Sequence, residues 1–254
     1  MKGNKNPPEG TQAIQRVATI IRLVSQKKEG VSLSWVARKS DLSISTTHRI
    51  LSALKWEGWV RFNPDSKRYF LGHELFHLRN AVSQFEMQTK FHMVLERIAI
   101  EIEDTILLLI RDGYDNLCID LVEGRYPIRF VTFKIGRRRP LGFGAGNMAL
   151  IAFLQQEEFE KIIHINEHRF HEFCKNISLD NIRNLAAVAR KVGHVVSEEI
   201  FTENISAVGV PIFNKQGRVE AAISVVSIPQ RMSRERQAEV AHTVKKIVEK
   251  EAIK

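Results

Sequence analysis

Residues 33–54 read Leu33-Ser34-Trp35-Val36-Ala37-Arg38-Lys39-Ser40-Asp41-Leu42-Ser43-Ile44-Ser45-Thr46-Thr47-His48-Arg49-Ile50-Leu51-Ser52-Ala53-Leu54. Two short helical segments flank the breaker Ser40-Asp41-Leu42-Ser43. In the first, Leu33, Val36 and Ala37 share an inward face, and Ser32 or Ser34 can accept from the free amides at its start. In the second, Ile44, Ile50, Leu51 and Leu54 form the apolar stripe, Ser43 or Ser45 is the cap, and Gly58 stops the helix after Trp56. The outward face carries Ser45, Thr46, His48, Arg49 and Ser52. A helix pair of this kind can set its second helix into a major groove, which admits one helix, with hydroxyls, an imidazole and a guanidinium against base edges. Free amides at the helix start favour a phosphate, and Ser43 and Thr47 are capping or phosphate partners.

The flanking sequence extends this reading. Upstream, apolar residues at 14, 17, 20, 21 and 24 mark a helix, and Arg16 near its start is a candidate backbone contact. Downstream, Trp59-Val60-Arg61-Phe62 and Arg68-Tyr69-Phe70-Leu71 alternate as two short strands around Asn63-Pro64-Asp65-Ser66-Lys67. That hairpin is a wing, with Lys67 and Arg68 near its tip. Trp35, Trp56 and Trp59 are read as core and domain-edge packing rather than a stacking platform.

Charge is skewed the same way. Residues 1–74 hold 13 Lys/Arg against 6 Asp/Glu, whereas 75–254 hold 25 against 23. The cationic excess therefore points to a polyanion met by one part of the chain. Cys118 and Cys174 lack the spacing of a thiolate zinc site or a disulfide framework. The polar N-terminus has no apolar segment behind it, and no apolar run is long enough to span a bilayer. A cytoplasmic protein without membrane contact is expected.

The expected organisation is a flexible tail over 1–12, a winged helix-turn-helix over 13–74, a linker helix over 75–88, and a second domain over 89–254. The second domain is read as α+β around one sheet, with strands at 105–110, 117–123, 128–133, 193–196, 205–213 and 219–227. Helices are expected at 91–99, 147–154, 157–166, 179–191 and 233–252. The segment Pro140-Leu141-Gly142-Phe143-Gly144-Ala145-Gly146 is a glycine-rich loop leading into a helix. The run Arg137-Arg138-Arg139 before it reads as a solvated basic turn, with attraction of an acidic ligand as the alternative.

Ile14-Gln15-Arg16-Val17, 31–37, 42–51 and Lys67-Arg68-Tyr69-Phe70-Leu71-Gly72 resemble the N-terminal pattern of the IclR-type transcription regulators, and 136–150, 203–212 and 217–227 continue the resemblance. It implies a winged helix-turn-helix, a linker helix and a C-terminal GAF-like effector-binding domain. It also implies operator DNA bound by a homodimer or dimer of dimers, control of catabolic genes in either sense, and a small carboxylic or aromatic effector. Carried onto matching positions, the effector pocket is lined by Gly144, Ala145, Ser197, Ala207, Ser224 and Val226, with Phe130, Phe143 and Ile119 as walls. For Gly144 and Gly146 the alternative is a tight turn alone. The loop departs from the family pattern and is one residue shorter. Ser197 and Ala207 stand where many members carry an acidic residue and a cysteine, and Val226 where some carry a second serine, which implies a less polar or differently shaped site.

Other classes leave fainter traces. No nucleophile elbow, P-loop, zincin helix or dinucleotide fingerprint occurs, so no enzyme and no cofactor is expected. His164, His168 and His171, with Glu167 and Glu172, are the nearest approach to a metal cluster, and a polar helix end is the simpler reading. A small-molecule sensor or adaptor acting by protein contact is the remaining alternative.

Overall fold

The computed structural model describes residues 10–80, 83–128, 134–170, 172, 177–198 and 203–252. The chain divides into two units, Met1–Ser83 and Gln84–Lys254. The expected flexible tail falls largely outside the described residues, as does the strand expected over 128–133.

In the first unit, α1 (Gln12–Val24), α2 (Leu33–Ser40) and α3 (Ile44–Trp56) precede a two-stranded antiparallel hairpin of β1 (Val60–Asn63) and β2 (Arg68–Leu71). Their core joins Ile20, Leu23 and Val24 of α1 with Val36, Leu51, Leu54, Val60 and Tyr69. Asp41 ends α2 in the left-handed conformation, turning the chain into α3. Gly58, at φ +72°, follows the end of α3. In the hairpin turn the Asn63 side chain accepts from the Ser66 amide at 2.9 Å, the local bond that suits asparagine to turns. α4 (Glu74–Asn80) follows.

Three apolar residues expected to pack inward do not. Ile14 is 70% exposed, Ile44 60% and Trp56 89%. Each lies at or near a helix end, where the stripe runs past the neighbouring elements that cover its middle.

The second unit begins on α5 (Ser83–Ile102). Its sheet contains β3 (Thr105–Asp112), β4 (Asp115–Val122), β5 (Arg138–Pro140), β6 (Val195–Glu198), β7 (Ser206–Phe213) and β8 (Val219–Ser227), all paired antiparallel in the order β5-β4-β3-β8-β7-β6. The strand β5 stands where a basic turn was expected.

Helices cover both faces. One core joins the sheet to α6 (Ala145–Ile151), α7 (Gln156–Phe170) and α8 (Leu179–Val192). The other joins it to α5 and α9 (Arg234–Ala252). The central strand serves both, sending Leu107 and Leu109 to the first and Ile106, Leu108 and Ile110 to the second. This is the two-residue alternation of a strand. Two fully covered faces explain why 105–110 reads as a continuous apolar run.

A buried carboxylate pins α5 to the start of α9. Asp104, 3% exposed, accepts from Ser227 at 2.6 Å, Arg231 at 3.0 Å and Arg236 at 3.1 Å. Two guanidiniums and a hydroxyl satisfy a charge that burial would otherwise make costly.

Candidate functional site

The first site is the outer face of α3. Ser43 takes the cap, its hydroxyl accepting from the Thr46 amide at 3.2 Å and lying 3.1 Å from the Ser45 hydroxyl. Ser45, His48, Arg49 and Ser52 are exposed, and Thr46 is half-buried. Spacings of three, four and seven residues place them on adjoining parts of one helix surface, continued by Trp56. Thr47 is a correction. It is fully buried, and its hydroxyl donates to the Ser43 carbonyl at 2.9 Å. It sits on the Thr47, Leu51, Leu54 stripe and braces the helix start from inside.

The accessory residues differ among themselves. Lys67 is exposed at the hairpin turn with φ +51°. The Arg68 side chain turns back, donating to the Gly30 carbonyl at 3.0 Å, so it fastens the hairpin to the turn after α1. Arg16 is exposed on α1, beside a shallow groove shared with Gln12, Gln15, Thr19, Ser40 and Leu42.

The second site is a cavity on the α6 face of the sheet, about 640 Å³ including its mouth. Strand register assembles its floor. Leu107 pairs with Ser224, Ala207 with both Val226 and Ser197, and Leu109 with Cys118. Of the expected lining, Phe143, Gly144, Ala145, Ser197, Ala207, Ser224 and Val226 are present. Phe130 lies outside the described residues.

Ile119 is a correction. It packs in the opposite core, toward α5 and α9. Leu108 pairs with Asp120 and Leu109 with Cys118, so Ile119 is the extra residue of a β-bulge. The bulge leaves Cys118 on the cavity side. It sends Asp120 toward α5, where His92 Nδ1 lies 2.8 Å from its carboxylate. The hydrogen bond to Asp120 raises the His92 pKa against the opposing effect of burial.

The glycine-rich loop does more than turn. Gly142 and Gly144 adopt φ +96° and +94°, in the region that favours glycine. Gly146 has no such requirement. A Cβ there would lie 2.5 Å from Leu109 Cδ1, and one on Gly209 would lie 2.2 Å from the Ala145 carbonyl oxygen. Helix α6 thus packs its backbone directly on the sheet at Gly209, and at Gly146 it takes in the Leu109 and Ser224 side chains.

Sequence reasoning missed Leu107, Leu109, Asn116, Cys118, Asn147 and Ile205 in the lining, and it placed the basic run in solvent. Alternation along the run decides its outcome. Arg137 and Arg139 line the cavity, whereas Arg138 bonds Asp112 through Nε at 2.6 Å. Burial, and then the Arg137 charge, lower the Arg139 pKa. Three of the neutral polar side chains are committed. Asn116 accepts from the Arg139 amide at 2.7 Å, and Asn147 donates to the Pro140 and Phe143 carbonyls. The Cys118 thiol donates to the Asp120 carbonyl, and burial pushes its pKa up to about 12. It is an inert part of the wall at neutral pH.

On α7, His164 lies 3.7 Å from Glu160 and 3.8 Å from Glu167, contacts that need no metal. His171 lies outside the described residues. Among the described residues no group of three or more His, Cys, Asp or Glu is placed to hold a metal ion. No described helix is long and apolar enough to cross a membrane.

Comparison with known proteins converges on one family. Residues 13–64 match the IclR helix-turn-helix domain, and residues 79–252 match the bacterial transcriptional regulator IclR C-terminal domain. The chain is 25% identical over 222 residues to the HTH-type transcriptional regulator XynR of Escherichia coli, covering 87% of this chain and 88% of that one. It is 26% identical over 221 residues to KipR of Bacillus subtilis, covering 86% and 87%. The Thermotoga maritima IclR crystal structure superposes with a TM-score of 0.77 at 24% identity, covering 94% of this chain and 96% of that one. An IclR homolog from Microbacterium hydrocarbonoxydans, complexed with 4-hydroxybenzoate, gives 0.76 at 18% identity, covering 94% and 98%. With a polar, groove-sized helix face in the first unit and a cavity in the second, the chain belongs to the IclR family of DNA-binding transcription regulators.

Proposed function

We propose that the chain recognises a specific duplex operator through α3 and that a small organic acid or aromatic metabolite in the cavity modulates that binding. The observation that carries the reading is the exposed row of Ser45, His48, Arg49 and Ser52, in the part of the chain that holds most of the cationic excess. In this reading Ser45, Thr46, His48, Arg49 and Ser52 meet base edges or phosphates. Ser43, Arg16 and Lys67 meet the backbone, and Arg68 acts by holding the wing in place. Each neutralised phosphate steepens the salt dependence.

The second unit is read as a GAF-like effector domain, supported by one antiparallel sheet with helices on both faces and a cavity under α6. One such helix-turn-helix reads only a few base pairs, so a homodimer or dimer of dimers on a two-fold operator is the working assembly. Catabolic genes are the inferred targets. The 4-hydroxybenzoate bound to the structural relative supports an aromatic acid as one effector type.

The test begins with duplexes selected from a random pool by the full chain. Thr46→Ala with Arg49→Ala should lower the ratio of selected to unrelated duplex affinity about 10-fold or more at fixed salt, the loss expected for one good base contact. The oligomeric state by sedimentation should stay that of wild type. An unchanged ratio removes α3 from base recognition.

A further inference from the structure

The first turn of α3 holds one side chain that neither capping nor packing uses. Ser43, Ser45 and Thr46 are tied to one another. The Ser43 hydroxyl donates to the Thr46 hydroxyl at 2.9 Å, accepts from the Thr46 amide at 3.2 Å and lies 3.1 Å from the Ser45 hydroxyl. Thr47 is fully buried. Ile44, between Ser43 and Ser45, is 60% exposed. It is the first residue of the helix and shares a face with Leu51, two turns further on, which is fully buried. The cover over that face therefore stops short of the helix start. Every Cα–Cβ bond of a helix leans toward its N-terminus, so the Ile44 side chain stands off the leading tip of α3. One turn on from it lies the exposed His48.

We propose that Ile44 is a specificity residue for the operator, packing on the C5 methyl of a thymine in the major groove. The assignment rests on the reading of α3 as the recognition helix, and it adds a base identity to that reading. A recognition helix meets base edges with its N-terminal residues, so the tip is the part brought to the floor of the groove. Isoleucine has no side-chain donor or acceptor to offer there. The major-groove edges of guanine, adenine and cytosine present donors and acceptors, and thymine alone adds a methyl. Set against a polar edge, Ile44 would strip water from a group and return no hydrogen bond. Set against the thymine methyl, two apolar groups leave water together. Because Ile44 is exposed in the free chain, that burial is a gain on binding rather than an exchange of one protein contact for another. The side chain is uncharged, so it adds discrimination between bases without adding to the salt-dependent attraction that His48, when protonated, and Arg49 supply.

The test uses the full chain and the duplex it selects from a random pool. Each thymine is replaced by deoxyuridine, which pairs identically and lacks only the methyl, and affinity is titrated at fixed salt. At one thymine, or at one symmetry-related pair, the replacement should weaken wild-type binding about 4-fold per site, the worth of one buried methyl. In Ile44→Ala the same replacement should cost nothing, and Ile44→Val should keep part of the loss. Ile44→Ala should leave thermal stability, affinity for an unrelated duplex and the salt slope at their wild-type values, because the side chain is exposed and uncharged. A structural role would move the first two. If Ile44→Ala does not fold, judged by circular dichroism, Ile44→Val and Ile44→Gln decide on the same duplexes, with Ile44→Gln losing the sensitivity to the methyl. A duplex with no sensitive thymine, or a loss that persists undiminished in the folded variants, overturns the assignment. Thr46→Ala with Arg49→Ala separates this result from the reading beneath it. Selectivity lost in that double variant beside a flat deoxyuridine series keeps α3 in the groove and removes Ile44 alone. Selectivity unchanged there together with a flat series removes both.

Discussion

The outer face of α3 and the cavity of the second unit are both recognition surfaces, but they are built by opposite means. The first comes from a single helix of 13 residues whose own periodicity sorts inside from outside. The second is collected from β3, β4, β5, the α6 loop, β6, β7 and β8, and depends on register between strands far apart in sequence. A local surface should tolerate damage elsewhere and fail through its own side chains. A collected one should fail whenever its backbone frame shifts, even if every lining side chain is kept.

The most damaging test of that contrast is Gly209→Ala. The new methyl would lie 2.2 Å from the Ala145 carbonyl oxygen, and backbone cannot swing aside as a side chain can. Helix α6 must lift, at a cost of about 3 kcal/mol, the upper end of ordinary overpacking. Calorimetry should show a lower melting transition for the second unit and loss of acid binding. An equal loss of intrinsic duplex affinity would break the distinction between the two regions.

Ser43→Ala is the matching local lesion and should cost the first unit about 1 kcal/mol, the usual worth of a serine cap. Ser43→Asp sharpens the point. Aspartate caps as well as serine, so stability should return, while a negative charge at the helix start should weaken duplex binding several-fold. Duplex affinity that follows stability in both variants would assign Ser43 to capping alone.

The smallest effect concerns the back of the cavity wall. His92, on α5, faces Asp120 at 2.8 Å and Glu96 at 3.6 Å, and its pKa is raised. A raised folded-state pKa means that the protonated pair contributes fully below the unfolded value of about 6.5 and is lost as pH rises through the folded value. His92→Gln should therefore cost more at pH 5.5 than at pH 8.5. Because the imidazole is half exposed, the difference should be about 0.5 kcal/mol. Equal costs at both pH values would reduce the contact to a neutral hydrogen bond.

The same contrast governs what could be read from the chain. The breaker between α2 and α3, a serine cap at Ser43 or Ser45 and the hairpin turn are local chemistry, and all were legible. Errors in the first unit concern extent. Periodicity names the face that Ile44 shares with Leu51, but not how far along the helix the cover reaches. Thr47 falls at i, i+4, i+7 with Leu51 and Leu54, a spacing that points inward, but its hydroxyl led to its reading as a capping or phosphate partner.

In the second unit the hidden part was register. Leu107 and Leu109 were masked because Ile106, Leu108 and Ile110 are equally apolar and serve the other face. Ile119 was misplaced by one inserted residue, which no composition reveals. Arg139 was read as solvated because three arginines in a row look alike until a strand separates the middle one from its neighbours.

The placement of tryptophan has a practical consequence. All three, Trp35, Trp56 and Trp59, fall in the first unit, and the second unit has none. Trp56 is 89% exposed at the end of α3. Intrinsic fluorescence excited at the indole band therefore comes from the DNA-binding half alone, and one emitter is open to iodide or acrylamide quenching. Duplex occupancy should shield it directly. An acid settling in the cavity has no indole of its own to perturb, so any change in emission on adding acid without DNA must have crossed from the other unit. The chain carries its own optical gauge of communication between its halves.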